Sequence, residues 1–313
     1  MAVKVIRLGQ RSSAAAVLEA ELQVLCRLHH PRVLILMGIS RDLPSESLGS
    51  LALVTEHMTQ GSLFHVLHET DIETEGGTEN KPVPLSQKLQ WARDIADGMR
   101  FLHHSGLIHR DLKTANVLVD EAGRCKIADF GMSKFREQSM SHVTGMVGTV
   151  AWTAPEVLLG GAMMYQSADV YSYGVILWEL LTGQVPWEGC QMPQIIIRVA
   201  VQHETLTFPA SSSAPAAAAN ATAFEMQNLA QACFGPPDAR PSFDVLFVTL
   251  QQLLLDQKRA EDQSARACPA TLVCPICHPR PSHHVRRLLL RPSVHRYLAG
   301  DWRSVSHDWS AAG

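Results

Sequence analysis

The first part of the chain carries short apolar runs of β-branched character. These runs predict strands over residues 1–6, 33–39 and 51–55. Between the first two, apolar residues recur at helical spacing over 17–28, after serines that can cap a helix. The pattern therefore predicts a small region in which one helix accompanies a few strands.

From residue 86 onward the apolar period becomes helical. One stripe covers 89–102, and a helix over 167–181 is apolar nearly all round, which is typical of a helix at the centre of a domain. Helical spacing returns over 224–255. We therefore predict an α+β fold with a small N-terminal β lobe containing one helix and a larger, mainly α-helical C-terminal lobe.

Stretches without a regular hydrophobic period mark the boundaries and loops of these lobes. We expect an N-lobe over 1–58, a C-lobe over 59–258 and an irregular, disordered tail over 259–313. The acidic stretch 71–84 and the Ser-, Ala- and Pro-rich stretch 210–221 predict inserted surface loops.

The predicted tail contains one pair of possible metal ligands. Cys274 and Cys277 have the spacing of a zinc-binding pair, but the second pair that a structural zinc site needs is ambiguous. The role of the tail therefore stays open.

Composition narrows the class of protein. Apolar residues make up 46% and charged residues 18% of the chain, which indicates a globular protein. The net charge of −3 gives no electrostatic reason to bind nucleic acid or an anionic membrane, and no apolar run approaches the roughly 20 residues that span a bilayer. The seven cysteines, an odd number, indicate free thiols in a reducing compartment. We expect a cytoplasmic protein with no nucleic-acid partner and no membrane span.

Polar side chains that could take part in catalysis or metal binding are concentrated between residues 109 and 131. Asp111 is followed by Lys113 and Asn116, and Asp129 comes after a short apolar run. Phosphoryl transfer uses such a set: one carboxylate accepts the proton of the attacking hydroxyl, while an amide and a second carboxylate hold a divalent metal. A nearby lysine neutralises charge on the transferred group. An isolated Asp-x-Lys would simply predict a polar loop, but the complete set favours phosphoryl transfer.

The same residues resemble the signatures of protein kinases. His-Arg-Asp at 109–111 opens a segment, residues 109–116, that resembles the kinase catalytic loop, and Asp-Phe-Gly at 129–131 resembles the metal-binding triplet. Ala-Pro-Glu at 154–156 resembles the end of an activation segment. The resemblance covers residues 1 to about 258 and implies a two-lobed protein-kinase-like fold that uses ATP and Mg²⁺.

The resemblance also implies a role for each polar residue of the catalytic loop. Asp111 is then the base and Lys113 a phosphate contact, while Asn116 and Asp129 are the metal ligands. Lys113 and Thr149, which lies before Ala-Pro-Glu, resemble the residues at these positions in serine/threonine kinases. Trp152 and its neighbours instead resemble the corresponding residues of tyrosine kinases. This mixture resembles the tyrosine-kinase-like group, whose members mostly phosphorylate Ser and Thr.

Two further positions match a Lys–Glu pair of the family, in which the lysine contacts the nucleotide phosphates. Lys4 matches the strand lysine, and Glu21 matches its partner on the regulatory helix.

The adenine site is implied by a third group of positions. Thr55, Glu56 and Met58 fall in the hinge between the lobes, residues 55–58, and Leu118 packs under the adenine in the family.

Regulation and scaffolding follow from the same resemblance. Arg110 beside Asp111 is typical of kinases that an upstream activating kinase switches on by phosphorylating the activation segment. The candidate acceptors are Ser139, Ser141 and Thr144.

Two structural contacts are also expected. Asp169 at the start of the central helix can fix the backbone of the catalytic loop. Glu156 is expected to pair with Arg240.

One family signature has no counterpart. The chain contains no Gly-x-Gly-x-x-Gly pattern, which kinases place before the lysine strand. We therefore expect a truncated N-lobe in which the Lys4 strand is an open edge. The alternative to an active serine/threonine kinase is a pseudokinase-like scaffold impaired in nucleotide binding, and tyrosine or dual specificity is a lesser alternative.

Overall fold

The computed structural model describes most of both predicted lobes. The described residues are 1–7, 26, 28–40, 50–69, 83–130, 149–160, 166–209, 217–267 and 302–303.

A four-stranded antiparallel sheet forms the small region. Its strands are β1 (Ala2–Arg7), β2 (Leu36–Ser40), β3 (Ser50–Thr55) and β6 (Trp302–Arg303), in the order β2-β3-β1-β6. Because β6 pairs with β1 on the side opposite β3, the expectation that the Lys4 strand is an open edge was wrong. Pairing with β6 gives hydrogen-bond partners to backbone groups that an edge strand leaves exposed.

The second sheet is a hairpin of β4 (Val117–Val119) and β5 (Cys125–Ile127). Two segments are hydrogen-bonded to it, one within the small region and one just after the hinge. Leu34 N donates to Ile127 O at 2.8 Å, and Ile127 N donates to Arg32 O at 2.9 Å. Residues 33–35, predicted as strand, therefore bridge to the hairpin, and β2 starts only at Leu36.

The second attachment lies just after the hinge. Gln60 N donates to Val119 O at 3.2 Å, and Val119 N donates to Gly61 O at 2.9 Å. Residues 32–34 and the segment just after the hinge thus contact the same hairpin.

Helices build the larger region around one core. They are α1 (Leu63–His68), α2 (Leu85–His104), α3 (Pro155–Leu158), α4 (Gln166–Thr182), α5 (Met192–Ile196), α6 (Ala217–Cys233) and α7 (Phe243–Ala267). As its all-round apolar pattern predicts, α4 is buried along most of its length. Among the described helices, none combines the length and apolarity needed to cross a bilayer.

One glycine allows α2 to approach the small region closely. A Cβ atom at Gly98 would lie 2.6 Å from Arg32 O and 2.8 Å from the Ile127 side chain. Asp94, on the same helix, forms a 3.1 Å salt bridge with Arg32.

Two predicted boundaries differ from the structure. Within the predicted loop 210–221, α6 already begins at Ala217, and within the predicted tail 259–313, α7 continues to Ala267. Both stretches are rich in residues of high helix propensity, chiefly Ala in the first and Ala, Glu, Gln and Arg in the second. Of the predicted loop 71–84, only residues 83 and 84 are described, and Cys274 and Cys277 lie outside the described residues.

Candidate active site

Asp169 holds the backbone of the catalytic loop. Its side chain is 1% exposed and accepts hydrogen bonds from His109 N and Arg110 N, each at 2.8 Å. His103 Nε2 lies 2.8 Å from the same carboxylate. Arg110 has a φ of 68°, a left-handed conformation that is uncommon for a residue with a side chain. The buried carboxylate therefore fixes the backbone immediately before Asp111, as the sequence predicted.

Two predicted catalytic residues, Asp111 and Lys113, and the predicted metal ligand Asn116 lie in one hydrogen-bonded cluster. Lys113 Nζ lies 3.2 Å from Asp111 Oδ1 and donates to Thr149 Oγ1 at 2.8 Å. Asn116 Nδ2 donates to Asp111 O at 2.6 Å and to Asp111 Oδ2 at 3.0 Å. The cluster therefore orients the Asp111 carboxylate from two sides, by a cation and by an amide.

His109 links this cluster to the residue before Asp129. Its buried ring donates from Nε2 to Ala128 O at 3.0 Å, while Nδ1 accepts from Asp111 N at 3.3 Å. These two contacts together require the neutral tautomer with its proton on Nε2. One side chain thus fixes the backbone at both predicted carboxylates.

Lys4 reaches the second carboxylate across the site. Its Nζ atom lies 2.7 Å from Asp129 Oδ1 and 2.5 Å from Asp129 Oδ2. Asp129 has a φ of 59°, which aspartate tolerates better than most residues. The expected partner of Lys4, Glu21, lies outside the described residues.

The hinge is fixed to β5 by a side chain rather than by its backbone alone. Glu56 Oε2 accepts from Lys126 Nζ at 2.6 Å, and Glu56 Oε1 accepts from Ile35 N at 3.0 Å. The buried Thr55 donates from Oγ1 to Glu56 O at 3.1 Å. Lys126 and Ile35 therefore hold the Glu56 side chain in place.

Two of the predicted adenine contacts lie together. Met58 packs in a small apolar cluster with Leu34 and Ala128, and Leu118 packs against the same cluster. The hinge and the catalytic-loop side therefore share one apolar surface between the two sheets.

The residues predicted to bind metal suit a hard cation. The amide nitrogen of Asn116 is used by Asp111, so its amide oxygen is the group that can face a metal, together with the Asp129 carboxylate. Oxygen donors of this kind suit Mg²⁺, which takes few protein ligands and completes its shell with water and phosphate oxygens. Among the described residues, no group of three or more His, Cys, Asp or Glu side chains could hold a metal by itself. The donor set therefore fits Mg²⁺ bound with a polyphosphate.

The end of the predicted activation segment packs against the catalytic loop. A single turn of 3₁₀ helix, Val150–Trp152, follows Thr149. A small pocket between this turn and the loop is lined in part by Asp111, Thr149 and Trp152. The candidate phosphorylation sites Ser139, Ser141 and Thr144 lie outside the described residues.

The predicted Glu156–Arg240 pair is present and bidentate. Arg240 Nη1 and Nη2 donate to the two oxygens of Glu156 at 2.6 and 2.9 Å, and the Arg240 side chain is 1% exposed. Removing Glu156 would leave a buried cation without its carboxylate, which is costly.

The sequence reasoning missed a buried carboxylate below the site. Glu179 on α4 contacts His68, Thr114 and Trp152. Burial raises the pKa of Glu179, while hydrogen bonds from these three side chains oppose the rise. The available signal was a glutamate inside an otherwise apolar helix.

Comparison with known proteins agrees with this architecture. Residues 1–250 match the family model described as protein tyrosine and serine/threonine kinase. A probable serine/threonine-protein kinase of Dictyostelium discoideum is 36% identical over 234 residues, which are 74% of this chain and 23% of that protein. The serine/threonine-protein kinase CTR1 of Arabidopsis thaliana is 33% identical over 237 residues, 75% of this chain and 26% of that protein.

A third relative covers a shorter stretch. The serine/threonine-protein kinase TNNI3K of Mus musculus is 39% identical over 170 residues, 53% of this chain and 19% of that protein. The chain thus spans about a quarter or less of the length of these relatives. The predicted resemblance to the tyrosine-kinase-like group and the two-lobed α+β fold are confirmed. The chain belongs to the protein tyrosine and serine/threonine kinase family.

Proposed function

We propose that the chain transfers the γ-phosphoryl group of ATP to serine or threonine hydroxyls of a protein substrate. The observation that carries this proposal is the contact between Lys113 and Thr149, the two residues whose types favoured serine/threonine specificity. Lys113 Nζ lies between Asp111 and Thr149, so it connects the proposed base to the wall of the pocket beside it.

Asp111 is the proposed base. A substrate hydroxyl in the pocket donates a hydrogen bond to the Asp111 carboxylate and passes its proton to it as the oxygen attacks. Asn116 keeps that carboxylate oriented, and Lys113 places positive charge next to the group being transferred. The aspartate therefore acts from a position fixed before substrate binds.

ATP and Mg²⁺ are the proposed cofactors. The adenine lies on the apolar surface formed by Met58 and Leu118, next to the backbone of Thr55 and Glu56. Asn116 and Asp129 hold Mg²⁺, which neutralises charge on the phosphates. Lys4 contacts the phosphates, and Glu21 orients Lys4.

We also propose the regulation and setting of the protein. Phosphate on Ser139, Ser141 or Thr144, added by an upstream activating kinase, pairs with Arg110 and orders the activation segment. We further propose that this takes place in the cytoplasm.

One observation favours a second candidate, a scaffold impaired in nucleotide binding. Both carboxylate oxygens of Asp129 lie within hydrogen-bond distance of Lys4 Nζ. A nucleotide and its metal must compete with this ion pair, and a chain in which the pair persists would bind partners without turnover.

The test compares binding and turnover in the same preparation. We expect Mg²⁺-ATP to raise the melting temperature, and a mixed peptide library to acquire phosphoserine and phosphothreonine. Asp111→Asn should keep the thermal shift and lower turnover by about 10²- to 10⁴-fold, because it removes the base. Asp238→Asn, an exposed aspartate, is the matched control and should behave like the wild type.

The outcomes separate the candidates. A folded protein without thermal shift and without turnover supports the scaffold. Phosphotyrosine as the main product contradicts serine/threonine specificity, and retained turnover in Asp111→Asn contradicts the choice of base.

A further inference from the structure

Glu179 occupies a position that disfavours a carboxylate. It lies in the last turn of α4, where the helix dipole is negative, and its side chain is 0% exposed within an apolar core. Burial alone penalises a charge there. An apolar residue would suit the packing, so the presence of glutamate points to the groups that it contacts.

Two of these groups lie on opposite walls of the active site, one on the catalytic loop and one on the turn at residues 150–152. Thr114 Oγ1, in the catalytic loop between Lys113 and Asn116, lies 2.7 Å from Glu179 Oε1. Trp152 Nε1, in the turn at the end of the activation segment, donates to Glu179 Oε2 at 3.1 Å. The carboxylate therefore uses one oxygen for each wall.

The same two walls are joined a second time, closer to the pocket. Lys113 Nζ donates to Thr149 Oγ1 at 2.8 Å, one residue before Thr114 on one wall and three before Trp152 on the other. The spacing between the catalytic loop and the turn is thus fixed at two points, one beside Asp111 and one beneath it. Two attachment points restrict the rotation of one wall against the other more than a single contact would.

A third contact extends the connection towards the hinge. His68 Nε2 lies 2.8 Å from Glu179 Oε1, the oxygen that also contacts Thr114. His68 ends α1, a helix that starts at Leu63 and is capped by the Ser62 side chain, four residues after Met58. The ring of His68 packs against Phe64 with centroids 4.7 Å apart, which keeps the imidazole facing α4.

We propose that Glu179 is a positioning residue for phosphoryl transfer: it sets the distance between the catalytic loop and the turn at residues 150–152, and it connects both to the hinge-side helix α1. The inference rests on the proposed kinase function and deepens it. Glu179 does not contact substrate, so it acts through Thr114 and Trp152 on the pocket that presents the hydroxyl to Asp111.

Two variants of Glu179 separate its hydrogen bonds from its charge. Glu179→Gln can keep all three contacts, with its oxygen towards Trp152 Nε1 and its amide group towards the Thr114 hydroxyl and a His68 tautomer that accepts at Nε2. Glu179→Leu keeps the volume and removes every contact. We expect kcat to fall by about tenfold or more in Glu179→Leu, since small displacements of a reacting group are that costly. Glu179→Gln should stay within about threefold of the wild type, with KM for ATP little changed in either variant.

A second pair tests the catalytic-loop contact by itself. Thr114→Val removes the hydroxyl and should lower kcat about tenfold. Thr114→Ser keeps a hydroxyl and should keep most of the wild-type rate. The kcat of the double variant Thr114→Val/Glu179→Leu should be little lower than that of Glu179→Leu alone, because both substitutions break the same connection. Glu225→Gln, an exposed glutamate on α6, is the control for a charge change without such contacts.

A purely structural role predicts a different result. In that case kcat per nucleotide-binding site, counted by titration, stays at the wild-type value in folded Glu179→Leu and Thr114→Val, and this outcome overturns the inference. If Glu179→Leu does not fold, the Thr114→Val and Thr114→Ser pair decides by the same criterion.

A readout without turnover separates this inference from the proposed function. Amide hydrogen exchange should become faster at residues 114–117 and 150–153 in Thr114→Val, without nucleotide. If the wild type has no kinase activity, the proposed function fails. Faster exchange would then still support Glu179 as the connection between the walls, and unchanged exchange would overturn it.

Discussion

The two sides of the active site are held in different ways. On the catalytic-loop side, the carboxylates of Asp169 and Glu179 are 1% and 0% exposed and accept hydrogen bonds from several elements at once. On the sheet side, Lys4 and Asp129 meet through one ion pair whose side chains are 13% and 14% exposed.

The difference indicates what each side must do. The contacts of Asp169 and Glu179 are fully buried, so in the proposed function they position the base before substrate binds. In the proposed function, the Lys4–Asp129 pair gives way when phosphates and metal bind. A contact that has to exchange is better built from charges that solvent can reach than from fully buried ones, which are costly to separate.

The strongest test removes the buried carboxylate before the catalytic loop. Asp169→Ala leaves two backbone N–H groups and His103 without their acceptor, so we expect the free energy of unfolding to fall by about 3–5 kcal/mol, together with loss of turnover. Urea titration and a peptide phosphorylation assay measure the two effects. Asp244→Ala is the matched control, because Asp244 also faces a histidine, His104, but with both side chains more than half exposed. Its cost should stay below about 0.5 kcal/mol, and equal costs for the two variants would contradict the comparison.

The corresponding change on the sheet side should affect turnover much more than stability. We expect Lys4→Met to lower turnover on the order of 100-fold, because it removes a cation from the phosphates. The free energy of unfolding should fall less than in Asp169→Ala, because the Lys4 and Asp129 side chains are 13% and 14% exposed, whereas Asp169 is 1% exposed. Lys258→Met, an exposed lysine on α7, is the control. A loss of stability as large as that of Asp169→Ala would show that the sheet side is held as firmly as the loop.

A smaller effect is expected at the hinge. Glu56→Gln keeps the acceptor for Ile35 N and weakens the contact with Lys126, so we expect KM for ATP to rise about threefold while kcat is unchanged. Steady-state kinetics at varied ATP measures both. Glu69→Gln breaks an exposed contact with His65 instead and should leave KM unchanged. A fall in kcat with constant KM would place Glu56 on the catalytic side of the comparison.

The smallest expected effect concerns thiol reactivity, which reports local opening of each region. Burial raises the pKa of Cys233 to about 12, with Arg240 opposing, and burial raises the pKa of Cys125 well above its usual range. Because these folded-state pKa values exceed the unfolded ones, each thiol favours the folded state below about pH 9, and this contribution is lost as pH rises through the folded-state value.

Alkylation at pH 8 followed by peptide mass spectrometry checks this order. Cys26 and Cys190, which are partly exposed, should react first, and Cys125 and Cys233 only when the larger region unfolds. Fast labelling of Cys125 would indicate that the β4–β5 hairpin opens together with the sheet side.

The contacts that could be predicted from the sequence are those fixed by short motifs. Asp111, Lys113 and Asn116 lie within six residues, so local backbone geometry brings them together, and the Glu156–Arg240 pair followed from two motifs of the family. Asp169 was expected to hold the catalytic loop because it begins a central helix.

The connection through Glu179 could not be predicted in this way. His68 and Glu179 are 111 residues apart, and their contact depends on how α1 packs against α4. A single glutamate near the end of an apolar helix is more simply interpreted as a solvated helix terminus. The start of α6 at Ala217 and the end of α7 at Ala267 were missed, because composition suggested irregular chain where local helix propensity favoured helix.

The attachment of the small region to the β4–β5 hairpin limits how the lobes can move. Residues 32–34 bond to β5 and residues 60–61 bond to β4, and these two strands pair with each other. These two attachments define an axis along the hairpin about which the sheet can rock. Such a motion moves Lys4 towards or away from Asp129 while the hinge next to the axis hardly moves. The site would therefore open at the phosphate end of a nucleotide while the adenine end stays in place. Product would then leave through a pivoting motion of the sheet rather than through separation of the lobes.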